Sequence, residues 1–270
     1  MNLLSFPLFI WKNHRGLALF SVIFIATLQF LIIKLVSDID IAPIVSAVLE
    51  QLPPRVRSFI NEQFLTLLSV QGAAAFGLNH PLALILLAIN ALTIPVRDLA
   101  GGIEGGSMEW LLSHPLTRTR LLLSLWASAA ALLLLIAAGA VAGALSGILI
   151  YHQLSFDLFQ KLLQIGANLW LLFLFIHSYT LLLAVFAREG SKTGICSAAI
   201  TLSCYLLHFF DKIWDFLRFS KPFNFFNYYT PQDLMFEQGN LGLNAAVLST
   251  LSLVCLGAAV YQFNRRDIPG

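Results

Sequence analysis

Apolar runs long enough to cross a lipid bilayer recur along the whole sequence, and they constrain the fold more than any other feature. A transmembrane helix needs about 20 mostly apolar residues. A chain of 270 residues can hold six such helices joined by modest loops. We predict an all-α integral membrane protein with one transmembrane domain over residues 1–270. The predicted spans are approximately 16–36, 81–96, 121–150, 158–186, 195–210 and 242–263.

The low content of charged residues supports a membrane location. Asp, Glu, Lys and Arg make up 11% of the sequence, whereas soluble domains contain about 25%. So little polar surface cannot cover a water-soluble globule of this size, and the apolar excess must therefore face lipid. The net charge of +2 gives no field that would favour nucleic acid as a partner.

Three segments outside the spans have patterns of their own. Residues 3–14 are apolar and aromatic but too short to cross a bilayer, so we predict a helix lying in the membrane interface. Residues 37–80 contain prolines and charges and are predicted to form a long external loop with short amphipathic helices. The aromatic residues of 211–240 are typical of either an interfacial belt or a re-entrant segment.

The positive charges indicate how the chain is oriented. Six spans place both termini on one side, and this side holds nine of the 16 Lys and Arg residues, mainly in short segments. It holds only five of the 14 acidic residues. Short loops rich in Lys and Arg stay in the cytoplasm. We therefore predict that both termini and the segment 97–120 are cytoplasmic.

The polar residues within the spans carry no full charge near the middle of the membrane. They are Gln29, Asn90, Asn168, His177 and His208. Ion-coupled carriers and channels with charged rings usually place ionisable groups there, so this pattern weakens both classes. A histidine at this depth is either a proton relay or an interhelical hydrogen-bonding residue, and the second interpretation is favoured for His177.

The sequence lacks common motifs for catalysis and metal binding. The sequence contains no GxSxG nucleophile elbow and no HExxH zinc motif. The six histidines are scattered, so we predict no bound metal. Residues 188–194 only superficially resemble a phosphate-binding loop, because the first glycine is missing. We predict no ATP hydrolysis and no cofactor in this chain.

A ridge of small residues marks the third predicted span. Gly139, Gly143 and Gly147 recur at four-residue spacing. Small residues at this spacing lie on one face of a helix and allow a second helix to approach closely. We predict a helix-packing ridge; the alternative is a chance pattern in a helix rich in Gly and Ala.

The connector between the second and third spans has the most specific pattern. Glycines at 101, 102, 105 and 106 are predicted to end the helix leaving the membrane, and Ser107 to cap a short new one. That short helix ends before Pro115. Its apolar residues face either a partner groove or lipid; they are Trp110, Leu111 and Leu112.

This connector resembles the signature of type-2 ABC transporter permeases, E-x-x-x-G-[TS]-x-E-x-L-L-x-x-P-[VL]-x-R. The matching residues are Glu104, Gly106, Ser107, Glu109, Leu111, Leu112, Pro115, Leu116 and Arg118. Glu104 lies closer to Gly106 than in the pattern. The runs at 76–87 and 261–270 also resemble the family. Among six-span permeases, the resemblance is closest to that of the nitrous-oxide reductase maturation transporter.

The resemblance implies the following function. Two permease copies form a homodimer in a bacterial cytoplasmic (inner) membrane and associate with two ATPase subunits, which bind ATP and Mg²⁺. The short helix within 97–120 is a coupling helix that contacts an ATPase, and Trp110 belongs to this contact. A second contact is formed by Arg188, Glu189 and Lys192. The transporter is expected to be an exporter.

Two other classes of function remain open from the residues alone. One is a secondary carrier or channel that works without an ATPase. The other is a membrane-embedded enzyme or assembly factor.

Overall fold

The computed structural model describes residues 5–38, 69–108, 117–187, 189–211 and 214–266. These residues are helical and contain no β-strand. Among them, six helical runs are long and apolar enough to cross a membrane. The protein is thus an all-α, multi-pass membrane protein, as the sequence predicts.

The α-helices are named in chain order. They are α1 (Ser5–Asp38), α2 (Val70–Leu78), α3 (Pro81–Ile94), α4 (Gly101–Glu104), α5 (Arg118–Tyr151), α6 (Phe156–Phe186), α7 (Gly190–Phe210), α8 (Pro231–Met235) and α9 (Leu241–Arg265). A π-helix over Pro95–Ala100 joins α3 to α4, and two 3₁₀-helices cover Asp215–Phe223 and Phe225–Tyr228.

The first helix differs from the prediction. The predicted interfacial helix over 3–14 and the predicted span over 16–36 are parts of one continuous helix, α1. Gly16 is the first residue of the predicted span. A single exposed glycine costs a helix only about 1 kcal/mol, and His14 is buried beside it through a contact with Asp98. At about 1.5 Å per residue, α1 is longer than the bilayer is thick.

The second span is also longer than predicted. Residues 70–78, expected in the external loop, form α2, and Pro81 begins α3 after a turn at Asn79 and His80. The helix does not end at 96 but continues through the π-helix into α4. Gly101 and Gly102 are helical, contrary to the prediction, and the helix ends at Gly105. The described part of the predicted external loop, 69–80, is therefore mostly helical.

The glycine ridge of α5 packs directly against α1. A Cβ atom placed on Gly143 would lie 2.3 Å from the carbonyl oxygen of Ala26, so the two backbones are in contact. Gly139 faces the side chain of Val22, and Gly147 faces the side chain of Ile33. The three glycines thus form a groove along α5 in which α1 lies.

Helix α6 lies at the centre of the bundle. It packs against α3, α5, α7, α8 and α9. In its most apolar stretch of 18 residues, 72% of the residues are buried. Helix α7 is the opposite case, because only 17% of the residues in its most apolar stretch are buried. Most of the surface of α7 is therefore left for lipid or another subunit.

The aromatic segment after α7 divides into two parts. Trp214, Phe216, Phe219 and Phe223 are exposed. Phe225, Phe226 and Tyr229 are buried, and the Tyr229 hydroxyl donates to the Leu78 carbonyl at 2.8 Å. Burial raises the pKa of Tyr229 above its usual range, so this hydroxyl remains a donor. The second part packs back onto the helices, as a re-entrant segment does, whereas the first keeps the exposed aromatic surface expected of a belt.

Candidate functional site: the terminal end of the bundle

The end of the bundle where α1 begins and α9 ends, called here the terminal end, gathers the sequence-predicted contact residues. Because consecutive spans alternate in direction, the same end holds the exit of the π-helix and α4, the start of α5, the end of α6 and the start of α7. Hydrogen bonds between these ends join α1, the second span and α7 in one group, and α5, α6 and α9 in another. The segment predicted to couple to a partner therefore leaves from a tightly connected platform.

The first of these bonds joins α1 to the π-helix. His14 Nε2 lies 2.7 Å from Asp98 Oδ2. The His14 side chain is 5% exposed and that of Asp98 21% exposed, so the pair is largely removed from water. Neither residue was predicted as part of the site. The π-helix that orients Asp98 follows from Pro95, whose position inside an apolar helical run was the available signal.

The second bond joins the two predicted contact segments to each other. The backbone N–H of Gly190 donates to Glu104 Oε2 at 2.8 Å. A Cβ atom on Gly190 would lie 3.0 Å from the Val96 carbonyl oxygen, so the start of α7 packs tightly on the π-helix. Glu189 accepts from Lys192 at 2.7 Å on the exposed side of the same turn. The segment 189–192 thus lies beside the exit of the second span.

Glu104 therefore braces the connector at its root. The sequence identified Glu104 only as part of the permease motif, and its bond to the Gly190 N–H gives it a supporting role. The charge of Glu104 also suits its place at the N-terminus of α7, where helix N–H groups are unpaired.

This contact makes a testable prediction. Replacing Glu104 with leucine should lower stability by about 1–2 kcal/mol, since the Gly190 N–H, at a buried position, loses its acceptor. Glu104→Gln keeps an oxygen acceptor and should retain most of the stability. Thermal unfolding of the purified protein in detergent measures the difference. Equal melting temperatures for the two variants would show that the bond contributes nothing.

The chain turns sharply after α4. Gly106 has φ +70°, a left-handed conformation in which residues with a Cβ atom are strained. The Ser107 hydroxyl donates to the Gly102 carbonyl at 3.3 Å, which ties the turn back to α4. Met108, next in sequence, is buried. The glycine-rich stretch thus makes its turn at Gly105 and Gly106, later than predicted.

Several predicted contact residues lie outside the described residues. They are Glu109, Trp110, Leu111, Leu112, Pro115 and Arg188. The predicted coupling helix and the capping role of Ser107 toward it therefore stay predictions.

Two arginines at the terminal end, beside α9, donate hydrogen bonds to backbone carbonyls at helix ends. Arg118 donates from one guanidinium nitrogen to the carbonyls of Phe263 and Arg266. Arg266 in turn donates to the carbonyls of Val185 and Ala187 at the end of α6. The last carbonyls of a helix have no partner within the helix, and these side chains supply one. The sequence identified Arg118 as a residue of the permease motif but did not predict this role.

The terminal end is a charged surface whose helix ends are linked by hydrogen bonds. Within the described residues, no group of three or more His, Cys, Asp or Glu side chains is placed to hold a metal ion. Its exposed cations include Lys12, Arg15, Arg97, Arg120 and Lys192. The bonds described above tie the helix ends together in two groups of three, so the ends within each group are held to one another.

The sequence matches a known family of membrane transporters, in agreement with this architecture. A family model described as ABC-2 family transporter protein matches residues 11–268. A search of curated proteins found no match. The family match covers almost the entire chain, including all six spans and the connector between the second and third. This protein therefore belongs to the ABC-2 transporter family, as a membrane-spanning permease subunit that associates with ABC ATPase partners.

Proposed function

We propose that this permease is the membrane part of an ATP-driven exporter and is coupled to its ATPases through residues 101–120. The observation that carries the proposal is the bond between Glu104 and the Gly190 N–H. It places the connector and the turn at 189–192 side by side at the terminal end. A partner that binds one segment would meet the other, so both predicted contacts fit one docking surface.

The terminal end is proposed to face the cytoplasm of a bacterial inner membrane. The predicted segments at this end hold nine Lys and Arg residues and five acidic residues, whereas the rest of the chain holds seven and nine. This asymmetry follows the positive-inside rule. Both termini are then cytoplasmic, on the side where ATP is available to a partner subunit.

The proposed mechanism uses the connections at this end. ATP and Mg²⁺ bind to the ATPase subunits, and closure of the ATPases displaces the connector. The π-helix and α4 carry this displacement into α3, while the Glu104–Gly190 bond carries it into α7. Helix ends that are hydrogen-bonded to one another shift as a group, which alternates access to the two sides of the membrane.

The proposed assembly contains two permease copies and two ATPases. In helices α1, α7 and α9, most residues of the apolar stretch are not buried within this chain. Such faces are available for a second copy and for lipid. Kinship with the permease of the nitrous-oxide reductase maturation transporter stays a prediction from the connector motif, and no substrate is assigned.

Site-directed cross-linking tests the proposed coupling surface. In a chain whose native cysteines are replaced by serine, the exposed Ser107 is changed to cysteine and the chain is co-expressed with a candidate ABC ATPase. A short thiol-to-amine cross-linker should join Ser107→Cys to the ATPase. The matched control is Phe219→Cys, which is exposed in the segment after α7, at the other end of the bundle. Cross-linking from Phe219→Cys instead, or transport by the chain without ATP, would overturn the proposal.

A further inference from the structure

The second span contains a carbonyl group that its own helix cannot satisfy. In an α-helix, the carbonyl of residue 91 accepts from the N–H of residue 95. Residue 95 is proline, which has no N–H and whose ring crowds that same carbonyl. The Ala91 carbonyl is therefore displaced from the helix ladder and needs a donor from elsewhere. Inside a membrane, an unpaired backbone group is especially costly.

His177 of α6 supplies this donor. Its Nδ1 lies 2.9 Å from the Ala91 carbonyl oxygen, and both residues are buried. A carbonyl oxygen only accepts hydrogen bonds, so Nδ1 carries the proton. The other ring nitrogen, Nε2, has no hydrogen-bond partner within the described part of the chain. The ring is therefore oriented by its single bond to the carbonyl that Pro95 displaces.

The position of this bond separates two parts of the second span. On the α3 side, Asn90 donates to Ser21 Oγ of α1 at 2.8 Å. On the other side, the π-helix begins at Pro95 and widens the turn, so that the Gly101 N–H bonds to the Val96 carbonyl. Beyond it, Asp98 contacts His14 and Glu104 contacts the start of α7. His177 thus acts at the boundary between the fixed part of α3 and the segment leading to the connector.

We propose that His177 is a positioning residue: by bonding the carbonyl that Pro95 leaves unpaired, it sets the angle at which the segment 95–108 leaves α3. Bending at this point does not have to break the usual bond between residues 91 and 95, because Pro95 removes it. The orientation of the segment 95–108 is instead fixed by a single side chain of α6, that of His177. The part of the proposal that concerns the ATPase rests on the proposed function, whereas the role of the bond does not.

A double-mutant cycle tests the bond without any ATPase. His177→Phe keeps ring size but removes the donor, and it should lower the melting temperature by about 4 °C. Pro95→Ala restores an N–H for the Ala91 carbonyl, so in that background the same change should cost less than half as much. Equal losses in the two backgrounds would overturn the inference.

A conservative variant separates the hydrogen bond from simple packing. The side-chain amide of His177→Asn places a donor near the position of Nδ1 and should recover part of the lost stability. His177→Leu has similar bulk to asparagine but no donor and should not recover it. If leucine performs as well as asparagine, His177 acts through packing alone and the inference fails.

Nitrogen NMR reads the tautomer of His177 in the unaltered protein, with His177→Asn used only to assign the signal. In protein with ¹⁵N-labelled histidine, the signal lost in His177→Asn should show a protonated Nδ1 and an unprotonated Nε2. The reverse tautomer would contradict the inference.

Cross-linking from Ser107→Cys then tests the effect on the connector. The yield with the ATPase should fall severalfold in His177→Phe, and recover in His177→Asn and in the double variant with Pro95→Ala. An unchanged yield in His177→Phe would overturn the positioning role. Absence of cross-linking in the parent chain, with the stability cycle intact, would instead overturn the proposed function alone.

Discussion

Replacing Gly143 with alanine is expected to prevent most of the protein from reaching its folded state. The added Cβ atom would lie 2.3 Å from the carbonyl oxygen of Ala26 and 2.6 Å from its Cα atom. Both are backbone atoms of α1 and cannot rotate away, so the two helices must separate. Overpacking typically costs about 1–3 kcal/mol, and separation of α1 and α5 along their shared groove places this change at or above the upper value. Fluorescence-detected size-exclusion and thermal unfolding in detergent measure the loss.

Gly257→Ala is the matched control. Gly257 also lies within a long helix, α9, but a Cβ atom there would meet nothing within 4 Å. The same substitution should leave the protein folded and raise stability by roughly 0.5–1 kcal/mol, because alanine favours helix more than glycine does. Opposite signs at the two positions would identify the helix contact as the cause. A stable Gly143→Ala variant would show that α1 is not held in the groove of α5.

Replacing Trp110 and Leu111 together with glutamate is expected to abolish purification of the permease with its ATPase. If these side chains fill an apolar cleft of the partner, two buried and unpaired carboxylates make the complex unfavourable by several kcal/mol. A loss of that size reduces affinity by more than a thousandfold. The measurement is the amount of ATPase recovered with tagged permease from detergent-solubilised membranes, normalised to the permease.

The control for this experiment carries the same charges elsewhere. Phe219→Glu with Phe223→Glu changes two exposed aromatic residues in the segment after α7. This variant should recover as much ATPase as the unmodified chain. Retention of the ATPase by the Trp110 and Leu111 variant would show that the connector is not the docking site.

The limits of α5, α6 and α9 follow closely from the sequence, whereas α7 begins at Gly190, before the predicted start at 195. Long apolar runs predict spans at 121–150, 158–186 and 242–263, and the structure gives helices that differ by a few residues at each end. The signal is strong there because length and hydrophobicity alone define a membrane-crossing helix. The glycine spacing of α5 likewise indicated a packing face, because small residues four positions apart share one side of a helix.

The second span could not be predicted in the same way. The span was predicted to end near 96, and Pro95 is a residue that ends or kinks a helix. The helix continues because His177 of α6 supplies the hydrogen bond that the Ala91 carbonyl loses at Pro95. His177 lies 86 positions from Ala91 in sequence. The bond from Gly190 to Glu104 is equally distant in sequence. Local patterns define where helices exist, whereas their joints depend on partners that only the folded chain brings together.

The arginines at the terminal end have a further consequence for the membrane. Arg118 and Arg266 bond to backbone carbonyls, and a carbonyl, unlike a carboxylate, does not neutralise a cation. Their charges therefore add to those of the exposed lysines and arginines around them. Each cation near an anionic leaflet contributes about 1 kcal/mol of attraction. The side chains that donate to the helix-end carbonyls should thus also attract anionic lipids such as phosphatidylglycerol to the terminal end. Raising the ionic strength should weaken this attraction without breaking the hydrogen bonds to the carbonyls.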